Sequence, residues 1–400
     1  MNILFLTLSR IQSLEDRGIY TDLMRYFRKQ GHAVFIVSPV ERRFQEKSSL
    51  HVEEGLQILR VKTLNIQKTN VLEKGLGTLL IERQYQKAIQ KYLPEKMDLV
   101  MYSTPPITFG KVIRYIQNRD QAKSYLLLKD IFPQNAVDLS MMKAGGLIHR
   151  FFQRKEKELY RLSDFIGCMS PANVAFLLKH HPEIPAAKVE VCPNSLELVH
   201  SAEKERDRQA ICEKFGIPGE STLFIYGGNL GKPQGLDFLL QVIKSNQQKN
   251  DRFFIIIGSG TEFPKMQKWF KDNNPGNALL LKGLPKKEYD LLVGACDVGM
   301  IFLDPRFTIP NYPSRLLSYL ENKMPVLAAT DHNTDIGKMA ADNNYGFWSV
   351  SGELEQFNSQ LEQLATDKGL IRRMGNNGYQ FLLENYTVDK SYQIIMNHFK

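Results

Sequence analysis

Cysteine is scarce in this chain, and so are long apolar runs and recognisable phosphate-loop or metal-binding motifs. Each absence excludes something. The four cysteines, Cys168, Cys192, Cys212 and Cys296, show neither paired spacing nor a metal-ligand pattern. Reduced, buried thiols of a cytoplasmic protein are therefore expected, not a disulfide framework. No apolar run approaches the ~20 residues that a membrane-crossing helix needs. The opening MNILFLTLSR has no basic leader region and no small-residue cleavage site, and reads as a first buried strand. No G-x-x-x-x-G-K-[ST] occurs, and GSGTEF (258–263) lacks the third glycine of a dinucleotide fingerprint. That argues against a P-loop NTPase and against a dehydrogenase. There is no D-x-D and no convincing metal-ligand cluster, so no metal and no other cofactor is expected. Low-complexity tracts and short repeats are also missing.

What is present is enough apolar material for real cores: 43% of 400 residues, sufficient for two or three domains. The net charge of +9 is unevenly placed. Residues 1–200 hold 29 Lys/Arg against 20 Asp/Glu, whereas residues 201–400 hold 23 of each. The whole excess lies in the first half, which suggests that one domain faces an anionic partner such as a membrane, a nucleic acid or a phosphorylated acceptor. A solvated basic surface with no partner is the alternative. The lack of an aromatic-basic recognition motif argues against nucleic acid.

Hydrophobic runs alternate with helical periodicities along the chain. NILFLT, then IYTDLMRYFRKQ with Ile19, Leu23, Tyr26 and Phe27 on one face, then AVFIVSP, make a βαβ unit. Strands are predicted at 99–104, 124–130, 165–170 and 188–194, with helices at 71–93, 109–119 and 146–163. In the last, Ile148, Phe151, Phe152, Leu159 and Leu162 are expected to face one way, with Arg150, Arg154, Lys157 and Arg161 mostly elsewhere. The charged stretch from Ser195 to Gly216 reads as a crossing between domains. A second alternating series follows, with strands at 222–228, 252–260, 278–283, 298–303 and 325–330. Two doubly wound sheets in one chain imply a cleft with ligands at the carboxyl ends of strands.

Glycines gather at those strand ends. In IYGGNLGKPQG, Gly227 and Gly228 close a strand, Gly231 sits in the turn and Gly235 precedes a helix. Such a loop lets backbone N–H groups close on an oxygen-rich ligand, with Asn229, Lys232 and Gln234 as side-chain donors. Gly258-Ser259-Gly260 is weaker, since a tight turn explains it equally well. Gly283 and Leu284, in LKGLPKKEY, open a further turn.

The order of these segments resembles that of family 4 glycosyltransferases, over nearly the whole chain. The matching stretches are MNILFLT…RG…GHAVFIVSP, LLLKDIFPQNAVDL, VEVCPNSLEL, IYGGNLGKPQGLDFLLQVI, FIIIGSG, LLKGLPKKEYDLLVGACDVGMIFL and YPSRLLSYLENKMPVLAAT. The resemblance implies an α/β protein of GT-B fold, with two Rossmann-like domains facing a cleft. It places an acceptor-binding domain at 1–196 and a nucleotide-sugar-binding domain at 197–385, with a helix over 386–400 crossing back to the first. It implies retaining, metal-independent transfer from a nucleotide diphosphate sugar, usually UDP-linked. The nearest pattern, PS-(K/R)-LL-x-Y, belongs to relatives that build bacterial capsule and other surface polysaccharides on polyprenyl diphosphate. The expected setting is thus the inner face of the plasma membrane, with the basic helices LIHRFFQRKEKELYR and KVIRYIQNRDQAKSY as candidate contacts with anionic lipid.

Carried over residue by residue, the resemblance implies donor contacts at Gly18, Gly228, Asn229, Lys232, Gln234, Gly260, Leu284, Ser314, Arg315 and Ser318. It implies catalytic roles for Asp130 and Lys129, where Asp130 would orient the acceptor hydroxyl or accept its proton. A loop carboxylate is the plain alternative for Asp130, and a turn glycine for Gly18. The chain also departs from the pattern. The usual Arg/Lys pair falls on neutral Asn229 and Gln234, and two usual glutamates fall on Pro310 and Ser318. Lys232 and Arg315 are the candidates to replace the missing charge. A catalytically degenerate nucleotide-sugar-binding or partner protein of the same fold is the competing reading.

Overall fold

The computed structural model describes residues 1–53, 56–66, 71–198 and 208–399. The chain divides into two compact units, Met1–Glu197 with Val388–Lys400, and Leu198–Thr387. Of the charged crossing expected after Asn194, residues 199–207 lie outside the described residues, and Arg208–Phe215 form a helix.

The first unit is built on β1 (Asn2–Leu6), α1 (Ile19–Lys29), β2 (Ala33–Glu41), β3 (Ser49–Glu53), β4 (Leu56–Thr63), α2 (Val71–Tyr92) and β5 (Leu99–Ser103). It continues through α3 (Gly110–Asp120), β6 (Lys123–Leu128), α4 (Gln134–Asp138), α5 (Leu147–Leu162), β7 (Phe165–Cys168), α6 (Pro171–His180) and β8 (Val189–Val191). The strands form one sheet in the order β3-β4-β2-β1-β5-β6-β7-β8, parallel except for the β3–β4 pair. Side chains alternate across a strand, and here both faces are covered. Leu4 and Leu6 pack with Tyr85 and Ile89 of α2 and Ile113 and Ile116 of α3. Ile3 and Phe5 pack on the other side with Leu23, Met24 and Phe27 of α1. That is why β1 reads as an unbroken apolar run.

The second unit follows with α7 (Arg208–Phe215), β9 (Thr222–Asn229), α8 (Leu236–Ser245), β10 (Arg252–Ser259), α9 (Phe263–Asn273), β11 (Ala278–Lys282) and α10 (Lys286–Ala295). Next come β12 (Val298–Phe302), α11 (Arg315–Glu321), β13 (Val326–Thr330), α12 (Ile336–Asp342), β14 (Gly346–Val350), α13 (Leu354–Thr366) and α14 (Lys368–Asn385). The sheet order is β11-β10-β9-β12-β13-β14, all parallel. This is doubly wound, and the order reverses between β9 and β12, where such sheets open a crevice at their carboxyl ends. The last helix, α15 (Val388–Met396), belongs to the first unit. Its Tyr392 hydroxyl lies 2.9 Å from Nε2 of His32, and Ile395 is buried against the α1 face.

The face predicted for α5 is only half correct. Leu159 is buried and Phe152 packs on Phe132 at 5.0 Å, but Leu147, Ile148 and Phe151 are 85%, 65% and 38% exposed. The reason is the length of the neighbour. Gly110, at the start of α3, lies against Glu158, so α3 covers the C-terminal part of α5. No helix among the described residues is long and apolar enough to cross a membrane.

Candidate functional site

In the second unit Gly228, Gln234 and Arg315, of the predicted residues, come together at the β9/β12 reversal. β9 ends in Gly227 and Gly228. Gly228 has φ +120°, a conformation open to glycine and strained for other residues. A side chain on Gly227 would collide with the Tyr289 ring of α10. Gly258 and Gly260 have a different purpose: a Cβ on either would strike the carbonyl of Gly228 or of Leu230. The second glycine pair therefore makes room for the first loop, and close backbone packing accounts for Gly260 without a ligand. Leu284 is half-buried in the turn between β11 and α10.

Arg315, the first residue of α11, reaches back to this strand end. Its Nη2 donates to Oε1 of Gln234 at 2.7 Å, and its Cζ lies 4.2 Å from the centre of the Tyr226 ring. A Cβ on Gly228 would sit 3.7 Å from Nη2. Nη1 is buried and has no hydrogen-bond partner among the described residues. No carboxylate pairs with this guanidinium among them either. Gln234 is 7% exposed, and its Oε1 also accepts from the Tyr226 hydroxyl at 3.0 Å. Its carbonyl thus holds Arg315 in place, and these two bonds leave the Nε2 donor unused. Asn229 and Lys232 are exposed on the loop.

Below the arginine, Tyr319 fixes α11 to the sheet. Its hydroxyl accepts from the Gly227 amide at 3.3 Å and shares its proton between the Ile225 and Met300 carbonyls, also at 3.3 Å. Gly299 leaves the space for its ring. Ser314 is exposed just before α11, and Ser318 is half-buried one turn after Arg315. Glu321 is buried at 8% exposure, so it offers no exposed carboxylate in place of the missing glutamate.

In the first unit, Lys129 and Asp130 follow β6. Thr104, just after β5, organises them: its hydroxyl oxygen accepts from the amides of Lys129 at 3.0 Å and Asp130 at 3.1 Å, and it donates to the Asp130 carbonyl. The Asp130 carboxylate accepts from Nδ2 of Asn135 in α4 at 2.8 Å. Burial pushes Asp130 up to about 6, against the opposing pull of the Asn135 and Ile131 hydrogen bonds. Lys129 turns to another partner, donating from Nζ to the Cys192 carbonyl at 3.1 Å beside a small cavity lined by Tyr20, Leu127, Asn194 and Ser391. Burial lowers its amine to about 8, while the neighbouring thiols Cys192 and Cys168 favour the charged form. The two residues are adjacent in sequence, yet they form no ion pair with each other among the described residues. Gly18 caps α1 in extended backbone, and its N–H donates to Oδ1 of Asp22 at 3.0 Å, so that amide is already used.

Sequence reasoning missed Tyr226, Tyr289, Thr104 and Asn135. Tyr226 sits directly before the glycine pair and Asn135 falls within the quoted IFPQNAVDL, so both were in view without a distinguishing signal. Thr104 and Tyr289 had none.

Two Rossmann-like units, the second with a cation held at its sheet reversal, define the class: α/β proteins of GT-B fold. Residues 207–381 match the family model of glycosyl transferases group 1. A Pseudomonas aeruginosa protein described as "Probable glycosyltransferase WbjE" is 23% identical over 293 residues, covering 70% of this chain and 69% of the relative. Solved structures align over the full length at low identity. Sucrose-phosphate synthase from Thermosynechococcus elongatus matches with a TM-score of 0.77 at 12% identity, covering 99% of this chain and 98% of its own. WaaG, a glycosyltransferase involved in lipopolysaccharide biosynthesis, gives 0.65 at 14%, covering 98% and 99%. Anabaena HepE in complex with UDP and glucose gives 0.68 at 14%, covering 100% and 99%. The chain has the GT-B fold, and its second unit matches the group 1 glycosyl transferase family model over residues 207–381.

Proposed function

We propose that the protein moves a sugar, with retention and without a metal, from a UDP-linked donor to a saccharide carried on a polyprenyl diphosphate. The step would belong to bacterial surface-polysaccharide assembly at the inner face of the plasma membrane, with the first unit in peripheral contact with anionic lipid. One observation carries the donor half: the Arg315 guanidinium, its Nη1 buried, clamped by Gln234 and without a carboxylate among the described residues. A cation held this way at a strand end is preorganised for an anion, and charge growing on a leaving diphosphate is what the reaction must stabilise. Lys232 and the loop amides around Gly228 and Asn229 would share that charge, and Ser318 would meet the ribose. The UDP complexes of HepE and the lipopolysaccharide role of WaaG agree with this reading.

On the acceptor side, Asp130 would orient the incoming hydroxyl and take its proton as the new bond forms. A carboxyl near 6 is ionised at neutral pH and still basic enough for that task. Lys129, tied to Cys192, would hold the floor of the acceptor site. The competing reading, a degenerate nucleotide-sugar-binding protein, draws on neutral Asn229, Gln234 and Ser318. A panel of UDP-sugars separates the two: release of UDP only in the presence of a lipid-linked acceptor supports transfer. Binding of UDP with no turnover on any donor supports the degenerate protein. Product anomers read by NMR test retention, and activity in excess chelator tests metal independence.

A further inference from the structure

Ten large apolar side chains are 37% or more exposed among the described residues, and four of them fall within eleven positions: Met141, Leu147, Ile148 and Phe151. They lie on the α4–α5 connection and the first two turns of α5. The segment is tied down, so the exposure is built into the fold. Met141 and Met142 amides both donate to the Ala136 carbonyl at 2.8 and 3.1 Å. Gly145, at φ +70°, donates its amide to Nδ1 of buried His149 at 3.0 Å. On the inner side, Phe152 against Phe132 and Leu159 in the core anchor the helix.

The exposed charges from Leu139 to Arg161 are of one sign. From Leu139 to Arg161 the bases are Lys143, Arg150, Arg154, Lys155, Lys157 and Arg161, and the acids are only Glu156 and Glu158. Glu156 is buried, with burial raising its carboxyl to about 7, and Glu158 is paired with Lys155 and Arg114. Lys143, Arg150, Arg154, Lys157 and Arg161 form no ion pair among the described residues. The other basic helix is different. In α3, Arg114 pairs with Glu158, Arg119 with Asp120 and Lys111 with Glu82, and Val112, Ile113 and Ile116 face the core.

We propose that the α4–α5 knuckle is the membrane-inserting surface of this protein, with Leu147, Ile148 and Phe151 entering the acyl boundary of an anionic bilayer and Arg150, Arg154 and Lys157 on its headgroups. Aliphatic tips ringed by long basic side chains fit a lipid interface, because the stems lie along the apolar layer while the charges stay at the phosphates. From Leu139 to Arg161 no acid is exposed, since Glu156 is buried and half-buried Glu158 is paired. The contact stands on this geometry alone, whereas its purpose, reaching a lipid-borne acceptor, rests on the function proposed above.

The test is co-sedimentation of the full chain with vesicles of phosphatidylcholine alone and of phosphatidylcholine mixed with phosphatidylglycerol. The parent should bind the mixed vesicles. Leu147→Ser/Ile148→Ser should weaken binding at least about tenfold, at low and high salt alike, because apolar burial is lost. Arg150→Gln/Arg154→Gln should weaken it about 25-fold at low salt, at roughly fivefold per charge, and much less at high salt. Lys111→Gln/Arg114→Gln on α3 should bind as the parent does. Equal binding by Leu147→Ser/Ile148→Ser and the parent overturns the proposal, as does an equal loss in the α3 variant. Failure of the parent to bind the mixed vesicles at low salt also overturns it, and points to a protein partner for the patch. UDP affinity by calorimetry on the same proteins keeps the two ideas apart. Its absence in the parent counts against the donor site, and its persistence in every variant shows the fold intact.

Discussion

Replacing Arg315 with leucine should affect donor binding and stability in opposite directions. The guanidinium spends one hydrogen bond on Gln234 and leaves Nη1 buried without a partner. If Nη1 meets the diphosphate, Arg315→Leu removes at least one charge-assisted hydrogen bond, worth ~1.5–3 kcal/mol. That corresponds to a Kd for UDP raised by about 10- to 150-fold. The free protein should respond otherwise. A half-partnered charge disappears and the leucine fills apolar space beside Tyr226, while Oε1 of Gln234 still shares the Tyr226 hydroxyl proton with the Asn229 carbonyl. The midpoint of thermal unfolding without nucleotide should therefore hold or rise, at about 2–4 °C per kcal/mol for a unit of this size. Gln234→Leu is the converse: it orphans Nη2, and should both weaken UDP binding and lower the midpoint. Calorimetry with UDP and a thermal melt of each variant check this. A Kd for Arg315→Leu within about twofold of the parent would refute the assignment of this cation to the donor phosphates.

Other outcomes follow from the first unit. Asp130→Asn should abolish most transfer while leaving the UDP Kd unchanged, and in the parent kcat/KM should fall as pH drops through about 6, where Asp130 gains its proton. Asn135→Ala removes a hydrogen bond that favours the carboxylate, so that acid limb should move to higher pH in a pH–rate profile. Lys129 has a folded value near 8 against an ordinary 10.5, so between these values the unfolded chain binds more protons and stability rises with pH. The deficit is full below about 8, and Lys129→Met should therefore raise the melting midpoint more at pH 7 than at pH 10. In the second unit, Gly258→Ala should destabilise and weaken UDP binding together, since its Cβ must displace the Gly228 carbonyl. Circular-dichroism melts and calorimetry would show the two losses jointly.

The strands of both sheets were legible because parallel strands covered on both faces are near-continuous apolar runs. The β3–β4 pair was not. It is an antiparallel edge in which Val52 is 69% exposed, and β4 mixes buried with half-exposed positions, so neither run stands out. β14 was also missed: GFWSV is short and partly polar, and it becomes a strand by pairing with β13. Periodicity placed Ile148 and Phe151 on the arc of Leu159 correctly, but whether that arc is covered depends on where α3 begins. The sequence likewise put Arg315 and Gln234 in view separately. Arg315 was already a candidate to replace the loop charge, but its hydrogen bond to Gln234 spans 81 positions and appears only in three dimensions.

The return of α15 to the first unit has a consequence for how the protein is made. His398 stacks on Phe165 at 3.8 Å and bonds Glu190 at 2.8 Å, and the Val388 amide donates to the Leu196 carbonyl at 3.1 Å. The segment that closes the first unit therefore leaves the ribosome only after the whole of the second. During synthesis the second unit can complete its sheet from a continuous stretch of chain, while the first waits with the α1 side of its core open around Phe27 and Tyr26. Domain order in sequence and order of completion are thus reversed, and the unit begun first is the one finished last.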